Sequence, residues 1–144
     1  PVNEKTFFCG CADYRASGAG NETGAASTAP GYLGQRFGAK YLVTPKDPTE
    51  ADIQAALAAA QGCESIVFTT CNAHLFREQL ALARALSALG KPMAAAALRN
   101  PYDLSALPEG LWKLAVYDYA EPSIAALAEI LLGGKAQGTC PVKL

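Results

Sequence analysis

Several polar residues directly follow short apolar segments of the sequence, and their types are those of acid–base and binding chemistry. Asp13 and Asp118 would form an acid/base pair if the fold brought their carboxylates together, although sequence spacing does not set that distance. Cys71 and His74 have the types of a thiol nucleophile and its base, but packing and helix capping explain this i, i+3 spacing as well. The residues that we predict to face a substrate or a partner are Asp13, Arg15, Asn72, His74 and Asp118.

The cysteines and the histidine of the sequence restrict the metal chemistry open to it. The five cysteines are odd in number and irregularly spaced, which fits buried reduced thiols of a cytosolic protein better than a disulfide framework. A thiol or metal site built from Cys9, Cys11 and Cys71 remains an alternative, although no C-x₂₋₄-C pair typical of structural zinc occurs. With His74 as the single histidine, multi-histidine sites are excluded. We therefore expect no metal, no cofactor and, since no signal peptide is visible, a cytoplasmic rather than secreted protein.

A glycine-rich stretch from Arg15 to Gly31 follows the first apolar segment and contains no large apolar side chain. Stretches of this kind are usually binding loops or poorly ordered. The Gly18–Gly24 segment has the spacing G-x-G-x-x-x-G, one residue longer than the dinucleotide-binding fingerprint. A free-standing module that binds a nucleotide or a sugar through this segment is therefore the alternative function that we keep open.

Length and charge exclude several classes of protein. The chain has 144 residues, of which 51% are hydrophobic and 17% charged, so we expect one domain spanning residues 1–144 with a continuous core. The formal net charge is −1, which argues against nucleic acid or an anionic membrane surface as a partner. No apolar run approaches the ~18 residues that a membrane-spanning helix needs.

Five apolar segments of strand length alternate with helical patterns along the chain. The predicted strands are Thr6–Cys11, Lys40–Thr44, Ser65–Thr70, Met93–Leu98 and Leu111–Tyr117, and residues 139–144 are a candidate sixth. The predicted helices cover residues 32–37, 48–61, 73–89 and 122–132. Because the strands are continuous apolar runs, both faces of the sheet should be covered. The sequence therefore predicts a three-layer α/β/α sandwich with a mainly parallel, five- to six-stranded, doubly wound sheet.

Some polar residues in these connections have structural explanations. Asp47 is predicted to cap the second helix, with Pro48 at its first position and Glu50 completing a capping box. Asn72 is predicted to cap the third helix. The motif Asn100, Pro101, Tyr102 and Asp103 is predicted to be a turn, in which Pro101 keeps Asn100 extended and Asp103 caps a short helix beginning at Leu104. We predict a structural role for this motif.

The carboxyl-terminal part of the sequence carries motifs of one enzyme family. They are Gly90-Lys91-Pro92, Ala97–Leu104, Leu107-Pro108, Tyr117-Asp118-Tyr119 and Leu131–Val142. From about Ile66 to Leu144 the sequence resembles the C-terminal domain of glycoside hydrolase family 3, in the version of two-domain bacterial β-N-acetylglucosaminidases. Gln137 and Cys140 depart from the Pro and Leu that are usual there.

This resemblance implies a three-layer α/β sandwich that normally follows a (β/α)₈ barrel in a longer chain. In that branch of the family the nucleophilic Asp and an Asp–His acid/base pair lie on the barrel, so no catalytic residue is carried over to this sequence. We therefore predict an accessory domain of a hydrolase of terminal β-linked sugars, with a structural and substrate-loop role and no activity alone. Its expected partners are the catalytic barrel of the same parent chain and the carbohydrate substrate.

Overall fold

The computed structural model describes residues 2–11, 28–45, 47–71, 73, 77–98, 102–116 and 129. These residues form the strands β1 (Thr6–Cys11), β2 (Lys40–Thr44), β3 (Ser65–Cys71), β4 (Met93–Leu98) and β5 (Trp112–Val116). They also form the helices α1 (Ala29–Phe37), α2 (Glu50–Ala60), α3 (Glu78–Ser87) and α4 (Asp103–Ala106). Within this described part of the chain, no helix has the length and apolarity needed to cross a bilayer.

All four strand pairs are parallel, and the order across the sheet is β2-β1-β3-β4-β5. Buried side chains form two clusters, one on the face covered by α2, α3 and α4 and one on the face covered by α1. The prediction of a doubly wound α/β sandwich is therefore confirmed. The predicted sixth strand and the helix predicted at 122–132 lie outside the described residues, apart from Glu129, which pairs with Arg36 of α1 at 3.3 Å.

Strand β4 shows how sheet position overrides local propensity. Its Met-Ala-Ala-Ala-Ala-Leu sequence favours a helix by propensity, yet it forms the predicted strand. All six side chains are buried, and the strand pairs with β3 on one side and β5 on the other. Small side chains suit this position because helices cover both faces of the sheet.

Helix α1 begins three residues before the predicted start at Tyr32. The hydroxyl of Thr28 accepts a hydrogen bond from the Gly31 amide at 3.2 Å, and Pro30 occupies the first turn. Ala29, Pro30 and Gly31 are buried, so the end of the glycine-rich stretch is anchored despite lacking large side chains. The start was missed because Thr28 and Pro30 resemble the loop composition that precedes them, although both are standard signals of a helix start.

Helix α2 is capped by Thr49 and Asp52, so the prediction of Asp47 and Glu50 was wrong by two residues. The Thr49 amide donates to Asp52 Oδ2 at 2.8 Å, and the Asp52 amide donates to Thr49 Oγ1 at 3.4 Å. Pro48 therefore precedes the cap and is not the first helical residue. Both candidate pairs have the same spacing and suitable side chains, so local sequence did not distinguish them.

We expect Thr49→Ala to lower the free energy of unfolding by about 1 kcal/mol, because the capping box loses its hydroxyl. Asp47→Ala is the matched control, since Asp47 is exposed and does not cap the helix. Urea unfolding of both variants measures the difference. A larger loss for Asp47→Ala than for Thr49→Ala would contradict the observed cap.

Lys91, in the Gly90-Lys91-Pro92 motif, satisfies the other end of α2. Its ammonium donates to the carbonyl oxygens of Ala60 at 2.8 Å and Gln61 at 2.9 Å, and to that of Cys63. Carbonyls at the end of a helix have no partner within the helix, and a cation there also interacts favourably with the helix dipole. Lys91 thus joins the end of α2 to the start of β4.

Candidate functional site

The candidate site lies where the strands end at their carboxyl termini, an edge formed by Cys11, Thr44, Cys71, Leu98 and Val116, which we call the carboxyl edge. In open parallel sheets ligands bind beyond this edge, at the point where the strand order reverses. The order β2-β1-β3 places that point between β1 and β3. The side chains at the ends of these two strands are therefore the first to consider.

The thiols of Cys11 and Cys71 contact each other at this point. Cys11 is 3% exposed and Cys71 is 1% exposed. The hydrogen bond from Cys71, followed by burial, raises the pKa of the Cys11 thiol far above its ordinary value. At neutral pH Cys11 is therefore a neutral thiol, which is a poor nucleophile.

Cys9 does not join the other two cysteines of the proposed thiol site. It belongs to the cluster under α2, α3 and α4, whereas Cys11 and Cys71 belong to the cluster under α1. Among the described residues, no group of three or more histidines, cysteines or acids is close enough to hold a metal ion. The three-thiol arrangement that we kept as an alternative is thus contradicted. Cys9 and Cys11 are two residues apart and would share a face in a regular strand, but Cys11 is the last residue of β1 and packs on the other face.

We expect the Cys9 thiol to make stability depend on pH in the alkaline range. Burial raises the pKa of Cys9 from 9.0 to about 12. Because the pKa is higher in the folded state, the stabilisation from this thiol is complete below pH 9.0 and is lost as the pH rises to about 12. The difference in unfolding free energy between the wild type and Cys9→Ala should be constant near neutrality and fall by about 1.4 kcal/mol per pH unit in that window. Urea unfolding at several pH values measures it; a constant difference throughout would contradict the prediction.

Asp103, the first residue of α4, binds the end of β3 and the residue Ala73 beyond it through a fully buried carboxylate. Its Oδ2 accepts hydrogen bonds from Thr70 Oγ1 and from the Ala73 amide, both at 2.9 Å. The prediction that it caps a helix starting at Leu104 was wrong, because α4 starts at Asp103 itself, with Tyr102 at the N-cap and no side-chain cap. The carboxylate turns inward because two donors on the neighbouring chain segment need an acceptor in the interior.

Gln79 holds the same segment from the helix side. Its Oε1 accepts from the Cys71 amide and its Nε2 donates to the Cys71 carbonyl, both at 3.0 Å. This side chain is 1% exposed and satisfies both backbone groups of the last residue of β3. The signal for this role in the sequence was an amide side chain at helical spacing with Leu82 and Leu86, where an apolar residue is expected.

The start of α3 differs from the prediction. The helix begins at Glu78 with Arg77 at its N-cap, so Asn72 is not the N-cap of this helix. Asn72 itself lies outside the described residues, as do Asp13, Arg15, His74 and Asp118. Asn100 and Pro101 and the Gly18–Gly24 segment also lie outside them.

Strand positions still constrain the predicted acid/base pair of Asp13 and Asp118. Asp13 follows β1 and Asp118 follows β5, and two strands lie between these two. Neighbouring strands are about 4.8 Å apart, so the ends of β1 and β5 are separated by about 14 Å. This exceeds the ~5 to ~9.5 Å between carboxylates in glycoside hydrolysis. The acid/base pairing remains a prediction, and it requires both following segments to approach each other.

Cavities lie near both edges of the sheet among the described residues. One of about 320 Å³ lies at the opposite edge of the sheet, near Ser65, Met93 and Trp112, the last of which is 71% exposed. The other, of about 390 Å³, lies between α3 and α4 beside the carboxyl edge and is lined by Arg77, Leu80, Arg84 and Ala106. The cavity between α3 and α4 forms a concave surface beside the carboxyl edge, lined by the cationic side chains of Arg77 and Arg84.

The fold and this edge define a doubly wound α/β domain. In solved structures the same fold occurs in a glycoside hydrolase family 3 β-N-acetylglucosaminidase from Paenibacillus sp. str. FPU-7, with a TM-score of 0.79 and 24% sequence identity over 96% of this chain and 27% of that chain. It also occurs in a fungal multi-domain family 3 β-N-acetylglucosaminidase with a GCN5-related glucosamine N-acetyltransferase region, with a TM-score of 0.69 and 21% identity over 92% of this chain and 15% of that chain. No protein-family model and no curated protein matches the chain.

These similarities confirm, at the level of the fold, the resemblance to a domain of family 3 proteins. The chain spans about a quarter or less of the length of each of the two solved proteins. At sequence identities of 24% and 21% the similarity shows the fold of this chain and does not show its activity or its substrate.

Proposed function

We propose that this chain is an accessory α/β domain of a family 3 glycoside hydrolase that acts on terminal β-linked sugars, of the β-N-acetylglucosaminidase type. The observation that carries the proposal is the match of 96% of this chain to 27% of a family 3 β-N-acetylglucosaminidase. The sequence motifs between about Ile66 and Leu144 support it independently of the fold. The partner of the domain is the catalytic barrel of the same parent chain.

The described residues of the carboxyl edge suit a supporting role. The carboxylate of Asp103 already accepts two hydrogen bonds inside the protein, and the Cys11 thiol is buried against Cys71. These groups stabilise the ends of the strands from which the connecting segments leave. We propose that those segments face the barrel and its sugar substrate, that the domain alone hydrolyses nothing, and that the protein is cytoplasmic.

A chromogenic aryl β-N-acetylglucosaminide assay on the isolated chain tests the proposal. We expect no turnover above the uncatalysed rate, and activity in the parent protein that contains the barrel. Turnover by the isolated chain at rates typical of enzymes, roughly 1–10³ per second, would overturn the accessory role. An upstream reading frame without a barrel of about 250 residues would overturn the assignment to the family.

One observation favours a second candidate function. The Gly18–Gly24 segment follows β1, one of the two strands at which the strand order reverses, and ligands of doubly wound sheets bind at such points. A thermal-shift series with nucleotides and N-acetylglucosamine tests for a free-standing binding module. A ligand present at 100 times its Kd would stabilise the fold by about 2.7 kcal/mol, and the absence of any shift would exclude this candidate.

A further inference from the structure

The point between β1 and β3 carries two buried reduced thiols, those of Cys11 and Cys71. We propose that Cys11 and Cys71 form a dithiol site that a small disulfide oxidant, such as glutathione disulfide, converts into a cross-link between the two strands. The cross-link would join the two strand ends at the point where the strand order reverses. The inference does not depend on the proposed function.

The strand register brings the two residues within reach of a disulfide. Gly10 pairs with Thr69, so Cys11 lies opposite Thr70 and one residue from Cys71 along the neighbouring strand. A strand spacing of about 4.8 Å and a rise of about 3.3 Å place the two Cα atoms about 6 Å apart. Disulfides usually join Cα atoms separated by about 4.4 to 6.8 Å. In a regular strand a one-position offset would turn the two side chains to opposite faces. Cys11 is the last residue of β1, however, and its side chain packs in the same buried cluster as Cys71, under α1. The two thiols interact there.

The other described cysteines are not arranged for such a bond. Cys9 packs on the opposite face of the sheet, in the cluster that also contains Cys63. The Cys63 thiol donates to the carbonyl of Ala59 at 3.6 Å, beside the end of α2. The structure therefore assigns the cross-link to one pair, and it makes Cys63 a matched control.

The chemistry balances with glutathione disulfide as the oxidant. One protein thiol loses its proton and attacks a sulfur of glutathione disulfide, which forms a mixed disulfide and releases one glutathione. The second protein thiol loses its proton and attacks the mixed disulfide, which forms the Cys11–Cys71 bond and releases the second glutathione. The two cysteines are oxidised by two electrons, and the glutathione disulfide is reduced.

Burial decides when this reaction takes place. Both thiols are almost inaccessible in the folded protein, and the raised pKa of Cys11 keeps the attacking thiolate scarce. We therefore expect the bond to form readily while the chain folds in an oxidising medium, and slowly once the chain is folded. In a reducing cytoplasm the pair stays open, and it closes in chains that fold during oxidative stress.

The test is to refold the whole chain from urea with glutathione disulfide and, in parallel, with a thiol reductant, both in a Cys140→Ser background. We expect peptide mapping by mass spectrometry to find a linked Cys11–Cys71 peptide lighter by two hydrogen atoms than the reduced pair. The bond closes a loop of about 60 residues, so we expect the Tm to rise by about 10 °C over the reduced protein. Cys63→Ser should keep both results, and Cys71→Ser should lose both.

Three results would overturn the proposal. The first is a linked peptide that joins Cys9 or Cys63 in place of Cys11 and Cys71. The second is a mixed disulfide with glutathione on Cys11 that persists and does not resolve. The third is an oxidised chain that carries only the Cys140→Ser substitution and shows no linked Cys11–Cys71 peptide. This result holds whether or not the Cys71→Ser protein folds.

Discussion

Replacing Gly10 with alanine lowers the free energy of unfolding by about 3 kcal/mol, which is among the two largest effects that we expect from single substitutions. A Cβ atom at this position would lie 1.9 Å from Thr69 Oγ1 and 2.6 Å from the Thr69 carbonyl oxygen. Gly10 and Thr69 are register partners on β1 and β3, so the clash cannot be relieved without separating two paired strands. Urea unfolding of Gly10→Ala measures the loss.

Gly62→Ala is the control for this substitution. No atom lies within 4 Å of a Cβ built at Gly62, so we expect a change within about 1 kcal/mol. The double variant Gly10→Ala/Thr69→Ala should recover only part of the loss, because it removes the hydroxyl and leaves the carbonyl. Full recovery would show that the strands have room to separate, contrary to the crowding seen here.

Replacing Asp103 with alanine should cost about 3 kcal/mol or more, because two buried donors lose their shared acceptor. Each donor left unsatisfied costs about 1–3 kcal/mol, and both Thr70 Oγ1 and the Ala73 amide are affected. We also expect the Ala73 amide to lose protection in hydrogen exchange, since that carboxylate is its hydrogen-bond acceptor. Urea unfolding and exchange measured by NMR together test the prediction.

Two further variants separate the causes of this effect. Asp103→Asn keeps an oxygen that can accept both hydrogen bonds, so its loss should be smaller than that of Asp103→Ala. Ser105→Ala is the control on the same short helix, where an exposed hydroxyl bonds the Tyr102 carbonyl at 2.8 Å. If Asp103→Ala cost no more than Ser105→Ala, the carboxylate would not hold α4 to the end of β3.

The accuracy of prediction from sequence differed between elements of the fold. The strands β1, β2 and β4 were predicted with the bounds that the structure shows, and β3 with one residue fewer, because continuous apolar runs of strand length are a strong local signal. Helix starts were predicted less well. Asp47 and Thr49 are both suitable caps with an acid three residues later, and the choice between them depends on how the helix packs.

For the residues of the candidate site, their position along the chain was predicted correctly but their contacts were not. From the sequence, Cys11, Cys71 and Asp103 were predicted to lie next to strand ends, but Asp103 was predicted to cap its own helix and Cys9 was grouped with the other thiols. The hydrogen bonds of Asp103 join residues 30 and 33 positions apart. Such contacts depend on which strands are neighbours, and a local pattern carries no information about that.

The amino-acid sequence by itself determined the number of described strands, their parallel direction and the burial of both faces, because local hydrophobicity and helix–strand alternation encode these features. The tertiary structure alone decided the order β2-β1-β3-β4-β5, the contact of Cys11 with Cys71 and the inward turn of Asp103. The physical reason is that strand order is set by the packing of the whole sheet. Residues about 60 positions apart in sequence become neighbours only after that packing is complete.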